Sequence, residues 1–257
     1  MGYARPRSGG LPRSVAGQAA AAPPAEVSQQ ALRCPVCLHP ELFHSRHNLT
    51  RCERCRHIFQ SDLRVSMVYD GDYAHQYDRR PHAEMSCLRW EFIQQHLALR
   101  QGSKILDVGY GNGAFLHHAR RAGMEVFGID LHGEEFGITE VGYGSPIHYD
   151  LVCFFDSIEH FPQFHDVFRL DARHVILSIP DPPNLLLSEP TKWRHFKPGE
   201  HLHYFSRESL DLLADGWGMR LKIAEGHPED AIRGKLAIEG CVYDNIYTAI
   251  YGRTARS

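Results

Sequence analysis

No stretch of the 257 residues approaches the ~18 consecutive apolar residues that a membrane-spanning helix needs. The sequence therefore predicts a soluble, cytoplasmic protein with no membrane partner. Large apolar side chains are almost missing from the first thirty residues, MGYARPRSGGLPRSVAGQAAAAPPAEVSQQ. That stretch cannot bury enough surface to offset ordering entropy, so residues 1–30 are expected to form a disordered tail. It also lacks the apolar centre of a secretory signal. An even set of cysteines is absent as well: there are seven. An odd number in a chain of this length argues against a secreted disulfide framework and for metal binding in a reducing compartment. Finally, no single sign of charge dominates. Residues 1–60 hold eight arginines and three acids, a balance of +5, and the remainder holds 20 bases and 28 acids, a balance of −8. A basic surface suited to nucleic acid is therefore confined to the N-terminal end.

Four of the cysteines form two matched pairs, Cys34-Pro-Val-Cys37 and Cys52-Glu-Arg-Cys55. Each CxxC turn lets two thiolates reach one ion, and two such turns complete the tetrahedral set of structural zinc. Four thiolates leave no open coordination position, so the ion is structural. Residues 31–62 are thus expected to form a zinc ribbon, compatible with nucleic-acid binding, substrate binding or clamping of the domain that follows. His39, His44, His47 and His57 lie close enough in sequence to replace one ligand, although surface positions are the plainer account of them.

Residues 63–100 end in a helical run, Ser86 to Leu99, with Leu88, Phe92, Ile93 and Leu97 at helical spacing. From residue 101 onward, strands (KILDV, EVFGID, YDLVCFF, HVILSI) alternate with helices (GAFLHHARRAG, and SRESLDLLADGW with Ser206 as N-cap). MRLKIAE and YDNIYTAIY read as two further strands. This alternation predicts an α/β fold around a mostly parallel sheet. No internal repeat is present.

The first of these strands runs into Gly109-Tyr110-Gly111-Asn112-Gly113. Glycines there permit positive φ and close approach of a ligand to the backbone. Asp107 precedes the loop, and Asp130 ends the second strand, where a carboxylate can hold both ribose hydroxyls. A dinucleotide fingerprint would place its third glycine one residue later, and Asp107 would repel a pyrophosphate.

These residues resemble the first motif of class I S-adenosylmethionine-dependent methyltransferases. The resemblance implies a Rossmann-like sheet with an antiparallel last strand. It also implies a cofactor site of Asp107, Gly109, Gly111, Gly113 and Asp130. Tyr110 stands where the family often has a small residue. The segment Asp156-Ser157-Ile158-Glu159-His160 is similar to the family's "DxIEH" loop, which brings in Asp156. Glu200-His201-Leu202-His203-Tyr204-Phe205-Ser206 is similar to its "EHxxxFS" segment. Tyr73 and Tyr77, upstream of Arg89, resemble a segment that closes over the cofactor, so Tyr73 and Arg89 are expected to touch it. One interval departs from the family. The residues between Asp130 and Asp150 look too few for a helix, a third strand and an adenine-contacting acid, which implies either that Glu134, Glu135 and Phe136 hold the adenine instead or that cofactor binding is weakened.

Methyl transfer needs alignment, plus a base where the acceptor carries a proton. His160, His201 and His203 are the candidate catalytic residues, with His201 and His203 on one side of an extended run. Trp193, Arg194, His195 and Lys197 form a polar-aromatic loop that either covers an acceptor or is ordinary surface. No cysteine follows a proline, as cytosine C5 chemistry would require, and Asp181-Pro182-Pro183-Asn184 lacks the aromatic residue of amino-methylating loops. The expected acceptor is a small molecule, nucleotide-sugar or modified nucleoside. Two alternatives remain: a nucleic-acid methyltransferase recruited through ribbon arginines (Arg33, Arg46, Arg51, Arg54, Arg56), and a degenerate, non-catalytic interaction protein.

Overall fold

The computed structural model describes residues 32–65, 81–131 and 137–253. The expected tail (1–30), Tyr73, Tyr77 and the Glu134–Phe136 substitutes lie outside these residues.

A seven-stranded sheet forms the centre. Its parallel part contains β4 (Lys104–Val108), β5 (Glu125–Ile129), β6 (Thr139–Glu140), β7 (His148–Phe155) and β8 (Asp171–Pro180). β10 (Leu221–Gly226) and β13 (Ile246–Gly252) complete it in the order β10-β13-β8-β7-β4-β5-β6, with β13 antiparallel to both neighbours. The central strands are apolar on both faces because both are covered. Ile105, Leu151, Cys153 and Ile176 meet α1 (His82–His96) and α2 (Ala114–Arg121) through Trp90, Ile93, Phe115 and Leu116. Leu106, Val152, Phe154 and Leu177 point the other way and pack with Leu210 and Leu213 of α3 (Arg207–Asp215). Ser206 caps α3 as expected, accepting from the Ser209 amide at 3.1 Å.

The short interval after Asp130 does contain a third parallel strand, reduced to the two residues of β6. Tyr110 explains how the sheet closes around so small a strand. Its buried ring lies over Gly128 of β5, where any Cβ would collide with it, and its hydroxyl donates to Glu140. The departure at Tyr110 and the shortened third strand are therefore one feature.

The ribbon strands β1 (Leu42–His44), β2 (Leu49–Cys52) and β3 (Ile58–Gln60) form a second sheet. Its fourth strand, β9 (His203–Tyr204), comes from the far end of the chain and pairs antiparallel with β3. A small hairpin, β11 (Leu236–Ile238) with β12 (Cys241–Tyr243), packs beside this junction. Among the described residues, no helix is long and apolar enough to cross a membrane.

Candidate active site and cysteine cluster

Parallel strands leave their C-terminal ends along one edge, and there the loop after β4 meets the ends of β5 and β7. Gly109 has φ +80° and donates its amide to the Ile129 carbonyl at 2.7 Å. A Cβ on Gly109 would stand 2.6 Å from Ser157 Cβ, so only glycine fits. Gly111 (φ +55°) donates its amide to Asp130 Oδ2 at 2.9 Å, and a Cβ there would meet nothing within 4 Å. Gly113 (φ +71°) caps α2, whose first turn contains no acid.

Asp107 is 3% exposed, and its Oδ1 finds no partner among the described residues; Ser157 Oγ is in the same position. Burial pushes the Asp107 carboxyl up to about 7; nearby Arg89 opposes this and Asp130 adds to it. Buried polar atoms without partners are costly. At this edge they suit a ligand carrying an ammonium group and hydroxyls, as S-adenosylmethionine does.

Arg89 and Asp156, both expected at the cofactor, face each other. Arg89 lies over the Phe155 ring at 4.4 Å, with Nη2 3.3 Å from Asp156 Oδ2 and Nε 2.7 Å from Glu229 Oε1. Arg233 closes the square, 2.6 Å from Asp156 and 3.0 Å from Glu229. Burial alone would raise the Glu229 carboxyl; Arg89 and Arg233 outweigh it and hold the group below its usual value. Asp156 adopts φ +52°, a strained conformation for a residue with a Cβ, of the kind that gathers at functional sites. Glu229 and Arg233 carried no signal in the sequence.

The three candidate histidines separate. His203 is buried with both ring nitrogens engaged, Nδ1 with His57 Nε2 at 3.0 Å and Nε2 with the Phe161 carbonyl at 2.8 Å. Burial drives its pKa down to about 3. His203 therefore ties the ribbon to the sheet and is withdrawn from the catalytic set. His57 is likewise no surface residue: it is fully buried and stacks against Phe59, His203 and Phe205.

His201 turns instead toward His160, their rings 4.8 Å apart edge to face, and toward His195 at 6.3 Å. Burial lowers His160 to about 4 and His201 well below its usual value. Trp193 is buried rather than lying as a loose cover, and His195 Nε2 is 2.7 Å from Asn245 Oδ1.

In the ribbon, Cys34, Cys37, Cys52 and Cys55 converge, with Sγ–Sγ separations of 3.6 Å (Cys34–Cys55) and 3.5 Å (Cys37–Cys52). A tetrahedron of thiolates at ~2.3 Å from zinc has edges of about 3.8 Å. The cluster therefore fits zinc with a small expansion.

The family described as "Methyltransferase domain" matches residues 73–221, more than half of the chain. A ubiquinone biosynthesis O-methyltransferase of Bordetella avium is 31% identical over 112 residues, 36% of this chain and 46% of that protein. The protein of the same name from Proteus mirabilis is 28% identical over 149 residues, 57% of this chain and 58% of its own length. The chain thus spans about half the length of the curated relatives it matches. Among solved structures, a SAM-dependent methyltransferase from Archaeoglobus fulgidus is similar in fold. It gives a TM-score of 0.50 at 14% identity, over 72% of this chain and 100% of that one. With the strand order, the glycine loop and the family match in agreement, the chain belongs to the class I S-adenosylmethionine-dependent methyltransferases.

Proposed function

We propose that this chain transfers a methyl group from S-adenosylmethionine to a small-molecule acceptor, and that its ribbon holds a structural zinc ion. The observation that carries the reading is the cradle at the edge of β4 and β5. There a buried, unpartnered Asp107 and the Gly111–Asp130 contact flank a loop whose first glycine, Gly109, leaves no room for a side chain. Asp107 would hold the ammonium end of the cofactor and Asp130 its ribose, while Gly109, Gly111 and Gly113 keep the backbone close. The bound cofactor supplies an electrophilic methyl on a sulfonium. The chain's own residues then have to align the acceptor and exclude water, because in-line displacement depends chiefly on geometry. Burial keeps His160 and His201 neutral at physiological pH, able to accept a hydrogen bond.

The relatives' name supports an oxygen of a small molecule as the acceptor; nucleotide-sugars and modified nucleosides stay in the same class. Two of the five ribbon arginines already have partners within the chain. Arg51 lies 5.2 Å over Phe43 and 2.9 Å from Glu53, and Arg56 is 3.7 Å from the same carboxylate. Calorimetric titration of the zinc-loaded protein with S-adenosylmethionine and S-adenosylhomocysteine tests the reading. Micromolar binding lost in Asp130→Ala is the expected result. Absence of binding to the wild type would overturn it.

A further inference from the structure

Behind the loop that follows β7, three side chains meet that the cofactor cradle does not use. Glu159, His160 and His201 each offer a ligand atom within 4.8 Å of the others. Glu159 is 1% exposed, and both of its carboxylate oxygens lack a hydrogen-bond partner among the described residues. His201 is 4% exposed, and its Nδ1 is unpartnered in the same way. Three donor atoms left bare in one buried spot carry a desolvation cost that packing alone leaves unmet.

The surroundings orient these groups. His201 Nε2 lies 3.6 Å from Glu200 Oε1, and Glu200 is itself held by Lys197 Nζ at 2.7 Å. A ring nitrogen of His160 is fixed by the Glu200 backbone. Carboxylate and carbonyl partners of this sort set the tautomer of metal-binding histidines. The His160 side chain retains 16% exposure, so the spot communicates with solvent.

We propose that Glu159, His160 and His201 bind a divalent transition-metal ion, a second metal site distinct from the four cysteines. Two imidazoles and one carboxylate suit zinc, manganese, iron(II) or cobalt rather than magnesium or calcium. Three protein ligands leave at least one position for water or an oxygen of another molecule. The atoms must draw together, since His160 Nε2 and Glu159 Oε1 are now 4.0 Å apart. Metal binding here does not depend on methyl transfer, so its failure and the failure of the proposed activity are separately visible.

The full-length protein, with its cysteines zinc-loaded, would be titrated with Mn(II) while free Mn(II) is followed by electron paramagnetic resonance. Manganese is chosen because it competes poorly for thiolates. One Mn(II) per chain is expected, with affinity reduced at least tenfold in Glu159→Gln and in His201→Gln. Circular dichroism and S-adenosylhomocysteine binding would show that the variants are folded, and His160→Gln replaces either one that is not. Asp181, His227 and Asp244 form a more exposed trio, so Asp244→Asn serves as the control and should bind as the wild type does. The proposal is overturned if no Mn(II) binds. It is equally overturned if binding survives Glu159→Gln, or is lost in Asp244→Asn instead.

Discussion

Replacing Asp107 with asparagine should make the ligand-free protein more stable and useless for binding the cofactor. The carboxyl is buried without a full set of partners, and burial pushes it up to about 7 against an ordinary value near 3.8. The native state therefore holds this proton more tightly than the unfolded chain does. The stability the group contributes is complete below pH 4 and is lost as pH rises through 7. Between pH 5 and pH 8 the loss amounts to about 2.5 kcal/mol, and asparagine does not suffer it. Urea midpoints of both proteins at the two pH values measure the difference, and the ribbon's own pH dependence cancels because both carry it. The advantage of Asp107→Asn should grow by roughly that amount. A gap that stays constant within about 0.5 kcal/mol would refute the assignment of a raised, buried carboxyl. In the wild type, S-adenosylhomocysteine affinity should weaken about tenfold per pH unit below 7, because the ligand's ammonium needs the ionised form. Asp107→Asn should not bind it measurably.

Three further outcomes follow from the packing. Arg233→Met leaves the Asp156 and Glu229 carboxylates sharing Arg89, and should cost about 3–5 kcal/mol by chemical denaturation; adding Glu229→Leu should recover part of that loss. Ser206→Ala removes both the cap on Ser209 and the 2.7 Å hydrogen bond to the Cys55 carbonyl. It should lower stability by about 1–2 kcal/mol, and an unchanged urea midpoint would show that the ribbon contact contributes nothing. Chelation, or Cys52→Ser, should release one zinc per chain and free β9 from β3, seen as new proteolytic cleavage between Lys197 and Tyr204; protection unchanged by chelation would count against that coupling.

What the sequence disclosed was whatever is local. KILDV and YDLVCFF are mostly apolar without alternation, since strands covered on both faces have no polar side to display. The glycine loop and the CxxC pairs are legible because their chemistry is confined to a few adjacent residues. The Arg89–Asp156–Glu229–Arg233 square has no such signature: Arg89 and Glu229 stand 140 residues apart, and Arg233 and Asp156 stand 77 apart. His57 and His203, 146 residues apart, read in the sequence as a ribbon histidine and a catalytic one. Only their burial against each other shows that they perform one task. The hairpin of β11 and β12 did have a readable mark. Glu239-Gly240 is a two-residue turn with φ +50° and +80°, as its mirror-image type requires.

The ribbon's dependence on the rest of the chain follows from its size. A module of some thirty residues has too small a core to persist without a metal or a neighbour. Here it uses its neighbour extensively: Leu49 packs with Trp193, Tyr204, Leu186 and the β11–β12 hairpin, and Gln60 Nε2 donates to the His201 carbonyl at 2.6 Å. The segment 193–204 is thus held on one side by ribbon backbone and presents His195 and His201 on the other. On the proposed function, this is the stretch expected to line the acceptor. A ribbon that fixes this segment through β3, His57 and Gln60 also fixes the shape of whatever pocket it lines. Substitutions at the ribbon interface should therefore alter the choice of acceptor before they alter affinity for the cofactor.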